Sequence, residues 1–378
     1  MGYLDIKNRE DIDGIIESTL SAYYGTTVRV VDKYAPNAFI LNPRLNSAIF
    51  SKATKTVKKA VRRGYTARKS VLHWMIMQAY LRVAFSKRGF FGCKYITFEN
   101  LPQNARYLYI MPGNMKIKLF DYKQKVLTNV IKEAFSIKSF EKELAVRKNP
   151  KWAFVPPIIS YEKNKYTEEI LDGCSFDRLK NSKKPAAFNE IKRVLFELQQ
   201  SDRTDVLGAD YAKELLVKIN ELLDGLNCNS KEKDGILSFA QSVAKKCTNQ
   251  TIVLAASHGD FQYGNLFVGD DNKIYVLDWE TYGTRSIGYD ILTFFYSFRY
   301  RRNFLERIDA FLQDENWEDI SHKYYGKAQD KKNVLSVYFL EDILWLLQES
   351  TSTIEKRASD SLLKYADTKV CQEILGRL

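Results

Sequence analysis

Residues 253–280 constrain the fold of this chain more than any other stretch. A short apolar run, VLAA, ends in Ser257-His258-Gly259-Asp260, and Asn265 follows five residues after Asp260. Two β-rich segments, 266–268 and 274–277, then flank Gly269-Asp270-Asp271-Asn272, a composition that closes hairpins. The second segment delivers Asp278 and, two residues on, Glu280. A strand, a polar loop and a hairpin in that order can return residues 18 apart in sequence to one place. On such a loop Asp260 can point its carboxylate into a cleft, while Asn265 offers a neutral oxygen and Asp278 an anionic one. A hard cation such as Mg2+ takes oxygen donors of this kind when phosphates supply the rest. Asp260 is then left to orient an attacking hydroxyl and accept its proton.

The pattern H-x-D-x-x-x-x-N, a hairpin and D-x-E, written here as HGDFQYGNLFV and VLDWE, resembles the aminoglycoside phosphotransferase and choline kinase-like family. The resemblance implies an α+β, two-lobed protein-kinase-like fold, with a small antiparallel-sheet lobe for nucleotide and a mostly helical lobe for catalysis and acceptor. It implies a catalytic base at Asp260, metal ligands at Asn265 and Asp278, and ATP with Mg2+ as cofactors. Glu280 would join the metal site or orient the loop. Gly288-Tyr289-Asp290-Ile291 resembles the family's short G-x-D signature, in which the aspartate anchors the catalytic-loop backbone; an N-cap role for Asp290 fits its sequence equally well. The loop reads His-Gly-Asp rather than His-Arg-Asp, Asp278-Trp279-Glu280 stands where Asp-Phe-Gly would, and no Ala-Pro-Glu follows. Those departures favour a small-molecule or glycan kinase over a regulated protein kinase. His258 suits a structural role in the loop, and His73 and His322 have no motif around them.

Upstream, residues 106–110 (RYLYI), 115–120 (MKIKLF) and 126–132 (VLTNVIK) read as three strands, the first two joined by Pro112-Gly113-Asn114. Residues 136–148 read as a helix with Ser136 as its N-cap. Residues 158–161 and 166–170 read as a hairpin around Lys163-Asn164. By the resemblance, Lys132 would pair the nucleotide phosphates and be held by Glu143, with Glu141 as the alternative. Val130 would line an adenine pocket, and the backbone of Glu169 and Leu171 would meet the adenine edge. Gly113 would lie in the phosphate loop, which departs from the glycine-rich pattern in having one glycine. After Gly173 the spacing predicts helices over 187–200, 211–226 and 234–246, and again from 291 onward. Three parts follow: residues 1–104, a basic N-terminal extension of unknown role; 105–172, a β-rich nucleotide lobe; and 173–378, a helical catalytic and acceptor lobe.

Charge adds a separate constraint. Residues 51–100 hold twelve Lys or Arg and one acid, Glu99, so one window carries nearly all of the net +12. The cluster from Lys52 to Lys69 precedes an apolar stretch at 71–85. It suits a phosphorylated glycan, a lipid-linked saccharide or an anionic membrane surface, where each basic side chain contributes about 1 kcal/mol. A solvated helix face is the plainer reading, and the absence of a recognised binding motif argues against nucleic acid. The five cysteines are scattered without metal-ligand spacing, which reads as reduced thiols. The polar N-terminus is unlike a secretory signal, and 71–85 is short of a bilayer span. The expectation is a cytoplasmic ATP-dependent kinase that phosphorylates a hydroxyl of a sugar or cell-surface glycan precursor, with peripheral contact to the inner face of the membrane. Within that class the alternative is an aminoglycoside antibiotic O-phosphotransferase, for which Asp314, Glu315, Glu318, Glu341 and Asp342 could form an acidic pocket. From another class, the alternative is a non-catalytic kinase-like binding module on an anionic surface.

Overall fold

The computed structural model describes residues 12–65, 71–86, 92–113, 115–133, 135, 137–299, 302–352 and 359–378. It forms two compact units: Met1–Phe140 with Arg147–Lys184 and Val268–Lys273, and Glu141–Val146 with Pro185–Phe267 and Ile274–Leu378.

The first unit is built on a nine-stranded antiparallel sheet in the order β1-β4-β2-β3-β5-β6-β7-β9-β8. Its strands are β1 (Val28–Val31), β2 (Phe39–Asn42), β3 (Ser47–Phe50), β4 (Lys94–Phe98), β5 (Leu108–Pro112), β6 (Lys116–Asp121), β7 (Val126–Ile131), β8 (Ile158–Glu162) and β9 (Lys165–Glu169). Turn chemistry sets the registers. Lys125 takes a left-handed conformation (φ 58°), and the Asp121 carboxylate accepts from the N–H groups of Lys123 (2.8 Å) and Gln124 (3.2 Å), closing β6 onto β7. At Gly113 a Cβ would stand 2.7 Å from the Lys116 carbonyl oxygen, so the β5–β6 turn admits glycine alone.

No break falls at residue 104. β3 pairs with β5, Ala48 opposite Ile110, and one apolar cluster runs from Ile16 and Leu20 of α1 (Ile12–Tyr24) through Phe39 and Ile49 to Ile110, Ile117 and Val130. The segment expected to be a separate extension therefore shares sheet and core with the strands after it. The physical reason lies in β2 and β3, FILN and SAIF, whose residues are all buried. A strand buried along its whole length is covered on both faces, and its backbone groups, cut off from water, must pair within a sheet. α2 (Lys55–Gly64) lies within the basic cluster; it buries Val57 and Val61 and is capped by Thr54, which accepts from the Val57 N–H. α3 (Val71–Ala84) follows, then α4 (Ile137–Lys148); Ser136, the expected cap of α4, lies outside the described residues. β10 (Gly173–Ser175) follows β9.

The second unit is mostly helical, as expected. It holds α5 (Lys184–Leu198), α6 (Gly208–Asp224), α7 (Ser230–Ala244), α8 (Ile287–Phe295), α9 (Phe304–Gln313), α10 (Trp317–Tyr325), α11 (Lys331–Ser352), α12 (Asp360–Leu363) and α13 (Thr368–Arg377). A three-stranded antiparallel sheet of β11 (Thr204–Leu207), β12 (Thr251–Ser257) and β15 (Gly283–Ser286) is centred on β12. β13 (Leu266–Gly269) and β14 (Ile274–Val276) form the hairpin read from the sequence. The fold is α+β, as the motif implied. Among the described residues no helix is long and apolar enough to cross a membrane.

Candidate functional site

The site begins where β12 ends. Ser257 pairs with Gly283 of β15, and the chain then turns sharply through Gly259 at φ +79°. A Cβ on Gly259 would stand 2.6 Å from both the Arg285 Nη1 and the Thr281 carbonyl oxygen, so any other residue would strain backbone and packing together. Below the loop lies Asp290, fully buried in α8. Its carboxylate accepts from the backbone N–H groups of His258 (2.8 Å) and Gly259 (3.1 Å). The cap position of α8 belongs to Ser286, so of the two readings of Asp290 the backbone anchor is the one observed. Burial raises the Asp290 carboxyl above its usual range, while His258 and Arg285 pull it down.

His258 ties the loop to the hairpin. Its Nε2 lies 2.9 Å from the Leu277 carbonyl oxygen, and its Nδ1 accepts from the Asp260 N–H (3.2 Å). Those partners assign the proton to Nε2. The ring packs edge-on against the buried Trp279, with centroids 4.7 Å apart. This is the structural role its sequence position suggested.

Three side chains hold the Asp260 carboxylate. Its Oδ2 accepts from Gln262 Nε2 (2.9 Å) and Asn265 Nδ2 (2.8 Å), and its Oδ1 from Arg299 Nε (3.1 Å). Asn265 Nδ2 also donates to the Asp260 backbone carbonyl oxygen (3.0 Å), and the Asn265 backbone carbonyl oxygen accepts from the Leu277 N–H (2.9 Å). That last bond sets Asp278, the next residue, against the loop. Asp278 takes a left-handed conformation (φ 59°, ψ 64°), which swings Trp279 into the core, where its indole N–H donates to the Val276 carbonyl (2.7 Å). The structure thus brings Asp260 and Asn265 into direct contact and holds Asp278 one residue beyond their link to the hairpin. Glu280 sits in the short turn Trp279–Thr281 that follows.

Arg299 was not singled out by the sequence. Its side chain is 9% exposed; it donates to the Gly259 carbonyl (3.0 Å) and to Asp342 Oδ1 (3.4 Å), and lays its guanidinium 3.5 Å from the centroid of the Trp345 ring. Asp342 also accepts from the Tyr365 hydroxyl (2.7 Å) and pairs with Lys364 (3.5 Å). The local signal, one of several arginines after an apolar helix, is weak; the bond to Asp260 spans 39 positions. Glu349 is a second side chain that was missed. Burial pushes its carboxyl up to about 7, Glu280 and Asp260 adding to the rise and Arg299 opposing it.

In the first unit Lys132 is 1% exposed, and its Nζ donates to the Gly113 carbonyl (2.5 Å). Burial lowers its ammonium to about 8. Val130, two residues earlier, belongs to the apolar core. Glu143, in the stretch Glu141–Val146 that belongs to the second unit, is fully buried on α4. Glu169 is the last residue of β9, opposite Val126, with an exposed side chain, and Leu171 follows it half-buried. The segment expected to meet the adenine edge therefore starts within a strand at Glu169. The neighbouring Glu168 is the buried acid: it pairs with Arg147 and accepts from Asn129 Nδ2 (2.8 Å), while Arg147 also donates to the Pro156 carbonyl (3.0 Å). Of the basic cluster, Lys52, Lys55, Lys58, Lys59, Arg62 and Arg63 are described; Arg68 and Lys69 lie outside the described residues.

The acids set aside for a polycationic pocket are mostly engaged inside the fold. Glu341 accepts from the Ser286 N–H (2.6 Å), the Ser286 hydroxyl (2.6 Å) and the Tyr211 hydroxyl (2.9 Å). Asp342 serves Arg299, and Asp314 accepts from the Tyr296 hydroxyl (2.6 Å). Glu315 and Glu318 are exposed. Among the described residues no three His, Cys, Asp or Glu side chains are grouped to hold a metal ion.

Residues 169–321 match the model of the phosphotransferase enzyme family, which bears out the resemblance carried by the motif. Solved structures similar to the chain include a choline/ethanolamine kinase family protein from Mesorhizobium loti (16% identity, 80% of this chain and 98% of that one, TM-score 0.45). An ethanolamine kinase from Plasmodium vivax is another (16% identity, 84% and 92%, TM-score 0.43). A thermostable mutant of the aminoglycoside phosphotransferase APH(4)-Ia, in a ternary complex with AMP-PNP and hygromycin B, is a third (14% identity, 71% and 93%, TM-score 0.45). No curated protein matches the chain.

Proposed function

We propose that this chain, a phosphotransferase-family protein over residues 169–321, moves the γ-phosphoryl group of ATP, with Mg2+, to a hydroxyl of a sugar or glycan precursor. The observation that carries this reading is the Asp260 carboxylate, held by Arg299, Gln262 and Asn265 on a loop whose backbone Asp290 clamps. Charge-assisted bonds fix a carboxylate's orientation, and a fixed base is what general-base catalysis needs. A carboxylate has about four acceptor positions, and three donors leave room on it for a fourth. In the proposed step Asp260 takes the proton of the acceptor hydroxyl as that oxygen attacks the γ-phosphorus and ADP departs.

The residues around the loop fit a divalent ion. Asn265 turns its Nδ2 to Asp260, which directs its carbonyl oxygen the other way, and Asp278 supplies a carboxylate. A neutral amide oxygen and a carboxylate, completed by phosphate oxygens, suit Mg2+. Glu280 would add to that set. When bound, the ion offsets the phosphate charge that shifts during transfer. We assign the phosphates to Lys132, its support to Glu143, and further nucleotide contacts to Gly113, Val130, and the backbone of Glu169 and Leu171. We infer a cytoplasmic reaction, where ATP is available as donor.

A sugar or glycan is favoured over an aminoglycoside by the electrostatics beside the base. Glu341 and Asp342 are committed to Ser286, Tyr211, Arg299 and Tyr365, and the guanidinium of Arg299 stands next to Asp260. With those acids committed, fewer carboxylates are left to line a pocket for a polycation. An ATP-consumption screen over sugars, glycan fragments, choline-like alcohols and aminoglycosides tests the acceptor. Asp260→Ala should lower turnover by 10²–10⁴-fold, the usual contribution of a general base. Turnover near wild type in that variant refutes the assignment, and an aminoglycoside as best acceptor refutes the substrate class.

A further inference from the structure

We propose that the first unit docks on an anionic lipid surface through the outer face of α3, with basic side chains around it gripping the headgroups. The inference is independent of the activity and starts from an inverted pattern. α3 buries Leu81 and Ala84, and Phe85 after it, in the core of the first unit. A surface helix of that kind normally turns polar residues outward. Here the outer face carries Leu72 (67% exposed), Met75 (57%), Ile76 (56%) and Val83 (41%), with Ala79 between them. Positions 72, 75, 76, 79 and 83 make one continuous stripe at helical spacing, and Trp74 lies beside it at 44% exposure. An apolar stripe of that length facing water marks a surface meant to be covered.

The surrounding charge identifies the cover. Tyr80 of α3 accepts at its hydroxyl from Asn42 Nδ2 (3.1 Å), and the hydroxyl of Tyr65, the residue that ends α2, lies 2.6 Å from Ser47 Oγ. Asn42 and Ser47 are cross-strand partners in the β2–β3 hairpin. The basic end of α2 and the apolar helix α3 are therefore pinned to the same hairpin end. Around that point Arg44 in the hairpin turn, Lys59 and Arg63 on α2, and Arg82 on α3 are all exposed. From Lys33 to Phe98 the sequence contains no Asp or Glu. A protein partner would be matched by mixed charge, and a nucleic acid would gain nothing from a Leu-Met-Ile-Val stripe. An anionic bilayer offers both halves, an apolar interior and negative headgroups. Helices of this make lie in the interface with the apolar face buried about 5–10 Å, and tryptophan is enriched at that depth.

The test uses the full chain and vesicles of phosphatidylcholine with or without phosphatidylglycerol. Co-sedimentation should occur with the anionic vesicles at low salt and fall as salt rises. Brominated acyl chains should quench tryptophan emission, and Trp74→Phe should remove most of that quenching. M75D/I76D changes two exposed positions, should melt as wild type does, and should weaken binding at least tenfold. Lys59→Glu and Arg63→Glu should each weaken it by about fivefold on anionic vesicles alone. Three results overturn the proposal: no sedimentation with anionic vesicles at low salt, binding that M75D/I76D leaves intact, or a dimer that M75D/I76D dissociates without any vesicle binding. The last would assign the stripe to a second copy of the chain.

Discussion

Replacing Arg299 with methionine removes a largely covered cation that three acceptors use, while keeping a side chain of similar length over Trp345. Breaking one partner out of a buried ion pair costs about 3–5 kcal/mol when nothing replaces it. The acceptors here are partly covered: Asp260 keeps Gln262 and Asn265, and Asp342 keeps Tyr365 and Lys364. Asp260 is also 23% exposed at its side chain, so water recovers part of the loss. The expected cost is therefore at the low end, about 3 kcal/mol. Asp260→Asn in the same background removes the charge that Arg299 meets, so the double variant should be more stable than the sum of the singles by about 1–2 kcal/mol. Urea unfolding followed by tryptophan fluorescence measures this cycle, since Trp279 and Trp317 are buried in the second unit. Turnover supplies a second readout. With its Oδ1 bond gone, Asp260 should orient less well, so kcat should fall 10–100-fold while the KM for ATP holds. Additivity of the two substitutions within about 0.5 kcal/mol, or an unchanged kcat in Arg299→Met, would refute the claim that Arg299 positions the base.

Two pH dependences follow from burial. Lys132 has its ammonium lowered to about 8, so above that pH the free protein presents a neutral amine to the phosphates. Affinity for a non-hydrolysable ATP analogue should weaken from pH 8 upward, by up to about tenfold at pH 9, and Lys132→Met should be weak and flat; a flat wild-type profile would remove Lys132 from phosphate binding. Glu341 has its carboxyl raised from 4.5 to about 7 by burial, with Ser286 and Tyr211 pulling against the rise. Between those values the folded chain keeps a proton that the unfolded chain has released, so the contribution is full below 4.5 and fades as pH rises through about 7. Glu341→Gln should remove up to about 3 kcal/mol of that pH dependence; an identical slope in urea-midpoint titrations of the two proteins would contradict it.

The Asp260 loop was legible because its chemistry is local. Asp260, Asn265 and Asp278 lie on one strand–loop–hairpin passage, and the turn residues between the strands are the kind that close hairpins. Of the residues that hold it, Asp290 was reached through the resemblance alone and Arg299 not at all, because their partners are far apart in sequence. Asp290 reaches His258 across 32 positions, and Arg299 reaches Asp342 across 43. β1–β4 were missed as a sheet for a related reason. FILN and SAIF lack the alternation of a half-buried strand, and β1 closes only against β4, Val28 opposite Phe98, with two helices inserted between. β15, written GTRS, has the composition of a loop and becomes a strand because β12 offers it an edge. By contrast β6 and β7, joined by a tight turn, were read nearly to their ends.

The residue type at position 265 shows how closely the proposed base and the proposed cation site are joined. Asn265 Nδ2 donates twice, to the Asp260 carboxylate and to its backbone carbonyl, so this side must be a donor. Its other side must be an oxygen if a cation is to sit between it and Asp278. An aspartate at 265 would be the stronger ligand for an isolated ion, yet it would set a second carboxylate 2.8 Å from the first with no proton between them. A glutamine has the right chemistry but reaches one methylene too far for the Leu277–Asn265 backbone link to stay in register with both contacts. Asparagine alone supplies a donor to the base and an acceptor to a metal from one short, planar group. The amide is therefore the element that sets where the proton would go relative to where the phosphates would be held.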